Sequence, residues 1–377
     1  MHSVRVSKRI AFSRALGIVR VNMTSADTVR FGLIGCGAWG FQHARAIAKT
    51  PGAQLVAIAE PAEQNRATAK EAHPQVQFYD DYRAMLAKER LDAVDIVLPP
   101  HLHYEGTQAA LKAGCHVLLE KPMCLKLAEC DKLIALSREK KLHLAIGHEF
   151  RFSSLWGGIK QMVDDGAIGD PRYCLIELWR NPYRQGTGGW RYNIRQVGNW
   201  ILEEPIHFFD LARWYFGKAG QPVSVVASAS HKRDDHPELQ DNFSAMVRFP
   251  NGGYAVISQT LAGYEHHQMA KLTGTNGALW ATWSGAMDRT FHPTFSLKHF
   301  DGEKTQEVPI TRITGEVYEL EDELADLTAA VRSAPLHCAT GEDGRWAVAM
   351  CLKAQESVTK GRVVKLGLGR ETTDGHR

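Results

Sequence analysis

The chain lacks any stretch approaching the roughly 20 consecutive apolar residues that a membrane-spanning helix needs, which argues against a membrane partner. It also lacks a strong charge: 45 basic residues against 42 acidic ones leave a net +3. So small a bias does not point to nucleic acid or to an anionic surface. There is no CxxC pair among the seven scattered cysteines, so neither a disulfide framework nor a cysteine zinc site is indicated. Reduced, buried thiols fit that pattern, and they suit the cytoplasm. The first 22 residues have no acidic side chain and carry Arg5, Lys8, Arg9, Arg14 and Arg20. Arg14 interrupts the apolar core a secretory signal would need, and Lys8-Arg9 falls short of a twin-arginine signal. Two readings stay open for this segment: an arm on a neighbouring subunit, or a translation start upstream of the native one at Met23.

At 377 residues the chain exceeds the usual limit of about 250–300 residues for a single core, so two domains are expected. The spacing suggests an extension over 1–28, a first domain over 29–150, a second over 151–365 and a tail over 366–377. In the first, the apolar run VRFGLI (29–34) ends in Gly35-Cys36-Gly37-Ala38-Trp39-Gly40, and a helical pattern follows. A second apolar run, 55–60, closes on Glu60. GxGxxG alone is weak evidence. Here it follows a strand, opens a helix, and is followed 20 residues after Gly40 by an acid at a strand end. Those are the parts of a dinucleotide site: tight turn, close approach to a pyrophosphate, helix N-terminus on the anion, and a carboxylate for the adenosine ribose hydroxyls. A carboxylate there repels a 2′-phosphate, so NAD is expected rather than NADP. The alternation continues through strands in 93–100, 116–122 and 142–148 and helices over 63–72, 104–114 and 129–141, with 76–86 between them. This implies a doubly wound parallel sheet of α/β type, with ligands beyond the C-terminal strand ends. Pro99, His101, Glu120, Lys121, Pro122, His148 and Glu149 should therefore converge on one crevice.

These segments resemble the glucose–fructose oxidoreductase, inositol dehydrogenase and rhizopine-catabolism (Gfo/Idh/MocA) family. The resemblance spans about 29–365 and is carried by GLIGCGAWGFQHARAI, IAEP, DAVDIVLPPHLHYEGTQAALKAGCHVLLEKP, LEEPIHFFDLARWYFG and the late TGEDGRWAVAMCLKAQESVTKGRVVKL. It implies an N-terminal Rossmann domain and a C-terminal α+β domain with a large open, mainly antiparallel sheet. Strand-like runs at 171–179, 223–230, 241–249, 252–261, 269–275 and 277–283 agree. Alternation puts Ala245, Val247 and Phe249 on one face. The other face would be free for a subunit partner, and the family associates there, so a homodimer or homotetramer is expected.

The resemblance further implies that Lys121, in the EKP element, hydrogen-bonds the reacting oxygen. Burial in a crevice would lower its pKa. His207 is the second proton-handling candidate, with Glu203 at the family's aspartate position and Pro205 at its glycine position. Residues four apart on a helix share a face, so Glu203 would support charge on His207 where the helix is continuous through Pro205. Asp210 reads as a structural anchor. Arg180, Tyr183, Arg184, Trp190, Arg191, Tyr192 and Asn193, with Arg151 at the domain junction, combine flat aromatic faces with fixed donors, which suits a polyhydroxylated ring. A packed interface loop would have the same composition. His101-x-His103 and His148-Glu149 are too closely spaced for a recognisable zinc motif, so no metal is expected. The expected activity is NAD-dependent oxidation of a ring hydroxyl of a sugar, cyclitol or glycoside. Alternatives are a keto-sugar reductase, an enzyme recycling tightly held NAD between two sugars, and a non-catalytic sugar- or nucleotide-sensing regulator.

Overall fold

The computed structural model describes residues 28–181, 184–287 and 289–367. The expectations for the arm at 1–22, for Met23 and for Tyr183 lie outside them, as does the tail from residue 368 on. The first unit alternates strand and helix: β1 (Val29–Ile34), α1 (Gly40–Lys49), β2 (Ala53–Ala59), α2 (Glu63–Ala72), β3 (Gln77–Tyr79), α3 (Tyr82–Lys88), β4 (Ala93–Ile96), α4 (His103–Lys112), β5 (His116–Glu120), α5 (Leu127–Lys140) and β6 (Leu144–Gly147). The run 76–86 divides into a strand and a helix because Asp81 caps α3, accepting from Arg83 N at 2.9 Å. Strands β1 to β6 pair in parallel in the order β6-β5-β4-β1-β2-β3. The order reverses between β1 and β4, and that switch point opens a crevice beyond the strand ends.

The second unit holds α6 (Trp156–Asp164), β7 (Pro171–Arg180), α7 (Ile194–Val197), α8 (Trp200–Glu203), α9 (Pro205–Tyr215), β8 (Ser224–Ser230), β9 (Asn242–Arg248), β10 (Tyr254–Thr260), β11 (His266–Gly274), β12 (Ala278–Gly285), β13 (Thr294–Phe300), β14 (Thr305–Glu307), α10 (Glu316–Val331), β15 (Ala339–Thr340), α11 (Gly341–Lys360) and β16 (Val364–Lys365). Nine of these strands form one open sheet, β14-β13-β12-β11-β7-β10-β9-β8-β16. Only β7 and β10 run parallel there, so the sheet is mainly antiparallel. Alternation works as read: Phe243, Ala245 and Val247 of β9 are buried while Ser244 and Arg248 face out.

The chain does not divide cleanly at residue 150. β15 adds to the first sheet, antiparallel to β6. Helix α10 puts Leu320, Leu324 and Leu327 into the core that Phe31, Leu33 and Ile47 form. A capping box at Thr340 and Asp343 starts α11. Asp343 also takes Arg151 Nη1 at 3.2 Å and Arg213 Nη1 at 2.6 Å, which ties the junction after β6 to α9 and α11.

Candidate active site

A cavity of about 550 Å³ opens between the units, lined from the first by the glycine loop, Glu60, Pro99, Glu120 and Lys121 and from the second by Arg180, Trp190, Arg191, Glu203 and His207. The loop is built for close approach. Gly35 has φ +90°, and a Cβ added to Gly40 would stand 2.1 Å from the Gly35 carbonyl oxygen. At Gly37 a Cβ would meet nothing within 4 Å, so its backbone faces open cleft. Helix α1 starts there with no side-chain cap and no acid in its first turn, which leaves its positive end to a ligand anion. Glu60 is held at the cleft edge, its Oε2 accepting from Cys36 N at 2.7 Å and Oε1 from Ala62 N at 2.8 Å. These features fit a dinucleotide: an uncapped helix end and open loop for the pyrophosphate, and an oriented carboxylate for ribose hydroxyls.

Beneath the loop, Glu120 is fixed from two sides. Trp39 Nε1 donates to its Oε1 at 2.9 Å, and His43 Nε2 lies 3.2 Å from the same oxygen. The buried His43 places Nδ1 2.7 Å from Asp95. Burial alone would lower its pKa, but Asp95 and Glu120 together push it up to about 10.

Lys121 Nζ donates to the Glu203 carbonyl oxygen at 2.6 Å. Burial pulls its pKa down, as expected, yet Glu203, Glu204, Glu120 and Glu149 reverse the sign and hold it above the ordinary lysine value. The expectation of a lowered value is corrected: Lys121 is a standing ammonium, suited to donating to an oxygen rather than to acting as a base. His207 is the opposite. Burial, then Lys121 and His148, drive its pKa well below the ordinary histidine value, so it is a neutral imidazole with an open lone pair. The two complement each other as charge stabiliser and proton acceptor.

Glu203 and His207 do not form the expected i, i+4 pair. The helix breaks at Glu204 (φ −120°, ψ −50°), with α9 starting on Pro205. Glu203 instead accepts from Arg191 Nε at 2.8 Å, and the Arg191 guanidinium lies 4.5 Å from the Trp190 ring centroid. The carboxylate nearest the His207 ring is Glu149, with Oε2 3.8 Å from Nδ1. That Nδ1 is buried and makes no hydrogen bond among the described residues.

Other expected residues are elsewhere. His101 is exposed beside Leu102 and does not line the cavity, whereas Pro99 and Pro100 do. Pro122 is buried behind Lys121, its carbonyl 2.7 Å from His103 Nδ1. Arg151 is locked into a buried bidentate pair with Asp210 at 2.8 and 2.6 Å, as that aspartate's anchor role implies, and does not reach the cleft. Tyr192 packs edge-on against Trp200, ring centroids 5.2 Å apart, and Asn193 caps α7 through Arg195 N at 3.0 Å. Among the described residues there is no cluster of metal-ligating side chains. Glu204, Arg289 and Glu316 also line the cleft. Glu204 sits beside Glu203, but Arg289, after β12, and Glu316, at the start of α10, carry no local signal.

The glycine loop and Glu60 decide the cofactor. Replacing Glu60 with Gln is expected to weaken NAD⁺ binding about 10-fold, the low end for losing hydrogen bonds to a charged group. NADP⁺ binding should suffer less or improve. Calorimetric titration of both nucleotides checks this, and equal losses for the two would refute the ribose role.

Similarity to known proteins agrees with the geometry. Residues 29–148 match the oxidoreductase family with the NAD-binding Rossmann fold, and 157–280 match the Gfo/Idh/MocA C-terminal domain. Myo-inositol 2-dehydrogenase of Thermotoga maritima is 28% identical over 342 residues, covering 90% of this chain and 98% of that protein. Inositol 2-dehydrogenase of Rhizobium meliloti is 27% identical over 345 residues, covering 90% and 99%. The aldose-aldose oxidoreductase of Caulobacter crescentus, crystallised with glycerol, has the same fold at a TM-score of 0.77 and 21% identity, covering 90% of this chain and all of that one. No described helix is long and apolar enough to cross a membrane. With the nucleotide loop, the strand-end lysine and both domain matches in one chain, this protein belongs to the Gfo/Idh/MocA family of NAD-dependent oxidoreductases.

Proposed function

We propose that the protein oxidises a ring hydroxyl of a sugar or cyclitol to the ketone. One observation carries this reading: a standing ammonium, Lys121, and a neutral imidazole, His207, line the same cleft from the two units. The bound nicotinamide supplies the chemistry of hydride acceptance. Lys121 holds the reacting oxygen and stabilises charge that builds on it, while His207 takes the hydroxyl proton. Trp190 offers an apolar face to ring C–H groups, and Arg191 and Glu203 offer a fixed donor and acceptor to neighbouring hydroxyls. Inositol dehydrogenases among the relatives support a cyclitol as the first substrate to try. Purified full-length protein with NAD⁺ and a panel of inositols, aldoses and glycosides should produce NADH with at least one of them. Bound NAD⁺ with no turnover of any polyol, or of any ketose with NADH, would instead indicate a sensor.

The same reading includes a homo-oligomer. The outer face of the nine-stranded sheet exposes Trp179 and Trp280 at 40% and 45%, with Leu175 and Val256 half-buried on the same face. Large apolar side chains left exposed on that face support a subunit contact there. Sedimentation should give a dimer or tetramer for the native chain and a monomer for Leu175→Arg combined with Val256→Arg. A native monomer would refute it. Seven unpaired cysteines, all buried, support the cytoplasm as its location.

A further inference from the structure

We propose that Glu149 is the group to which His207 passes the substrate proton, so that the two side chains work as one proton acceptor. This rests on the dehydrogenase reading above. The geometry has three parts. Glu149 and His207 both line the cleft and both are buried, at 4% and 3% exposure. Glu149 Oε2 lies 3.8 Å from His207 Nδ1, and that nitrogen makes no hydrogen bond among the described residues. The carboxylates of the α8–α9 segment are turned elsewhere: Glu203 to Arg191, Glu204 to Arg180 at 3.4 Å and Asp210 to Arg151. Closing under 1 Å would make the hydrogen bond, and catalytic hydrogen bonds are commonly long until substrate seats.

The surroundings of Glu149 also suit it to accept a proton. The groups facing Glu149 are Glu120 and Lys121 at the end of β5, Glu316 and Glu323 from α10, and His207 from α9. His207 in turn faces Lys121 and His148. Glu319, on the same helix, is turned away to Thr314 and Gly315. Burial first, then Glu120, Glu316 and Glu323, raise the Glu149 pKa well above the ordinary carboxylate value, against the pull of Lys121. A carboxylate with raised proton affinity next to an imidazole with lowered affinity is arranged to receive a proton.

The step balances. In the reacting form Glu149 is ionised, beside the Lys121 ammonium, and accepts the Nδ1–H of neutral His207. As the substrate C–H bond breaks, its electron pair leaves with hydrogen to the nicotinamide. The O–H bond breaks, its proton bonds to His207 Nε2, and the Nδ1 proton moves to Glu149. The ketone forms, the positive charge of the oxidised nicotinamide and the negative charge of Glu149 are both discharged, and His207 is again neutral. In the reverse direction Glu149 supplies the proton.

The test uses the full-length chain with Glu149→Gln and Glu149→Asp. Nitrogen-15 spectra of the His207 imidazole, taken across neutral pH with NADH and myo-inositol, a pair that fills the cleft without reacting, should show Nδ1 hydrogen-bonded in the native chain and in Glu149→Asp. They should show it released in Glu149→Gln. With NAD⁺ and any polyol the native chain oxidises, beginning with myo-inositol, Glu149→Gln should lose about 10²-fold in kcat, the low end for a lost proton-transfer group. KM should change little, and the acid limb of the pH–rate profile should shift down, because His207 then titrates alone. Glu149→Asp should recover part of the rate and of the limb. Native kcat and an unmoved acid limb in Glu149→Gln, or an imidazole spectrum indifferent to residue 149, would overturn the proposal. Should the native chain turn over no polyol at all, the dehydrogenase reading fails, while the spectra still decide whether Glu149 and His207 share a proton.

Discussion

Lys121→Met is expected to lower kcat about 10²–10³-fold, the cost of removing one preorganised donor from a developing oxyanion. Methionine keeps most of the lysine's length and volume, so the cleft stays filled while the ammonium goes. The loss should fall on kcat more than on KM, because the charge on the reacting oxygen is larger in the transition state than in the bound alcohol. It should also be insensitive to pH through the neutral range, since four surrounding glutamates keep the native ammonium protonated there. NAD⁺ affinity should be nearly unchanged. A Lys121→Met enzyme with native kcat would mean that the ammonium faces something other than the reacting oxygen. A loss confined to KM would mean that it merely binds.

His207→Asn should lower kcat about 10²–10⁴-fold, the range for a lost general base, and it carries a second signature in stability. The folded-state pKa of His207 lies well below its ordinary value, whereas the unfolded chain takes up a proton near pH 6.5. Below that pH the unfolded state therefore binds more protons than the folded state, and stability falls as pH falls. Asparagine has no proton to take up. The variant should lose less stability between neutral pH and about pH 5 than the native chain, as read from denaturant midpoints across pH. A purely structural histidine would show the stability rescue without the kcat loss. Equal acid sensitivity in the two proteins would contradict a neutral, buried His207.

The nucleotide half of the site was legible because its parts are local. Gly35, Gly37 and Gly40 sit in one turn, and the doubly wound fold carries Glu60, Pro99 and Lys121 to the same rim by putting strand ends side by side. The proton-handling half was less legible, for two physical reasons. Residues four apart meet only on an unbroken helix, and Pro205, lacking an N–H and crowding the residue before it, starts α9 afresh. Glu203 is thereby turned to Arg191, leaving Glu149, 58 residues earlier, as the carboxylate facing His207. The sign of the Lys121 shift depends on a count of charges, not on burial alone. Glu120 is its sequence neighbour, but Glu149, Glu203 and Glu204 arrive from other segments. Arg289, after β12, and Glu316, at the start of α10, complete the cleft, and nothing in their neighbours announces it. The boundary at 150 missed the return of α10 and β15, because two residues of strand and an amphipathic helix look alike whichever core they join.

A crystal structure of the full-length chain with NAD⁺ and an oxidisable polyol tests the account at its centre. It should show the nicotinamide between the two units, with the substrate carbon about 3–3.5 Å from the ring carbon that receives hydride. Lys121 Nζ and a His207 ring nitrogen should both lie in hydrogen-bond range of the same substrate oxygen. A polyol bound against the ring with its oxygen held by neither side chain would contradict the pairing of Lys121 and His207 on which the mechanism stands.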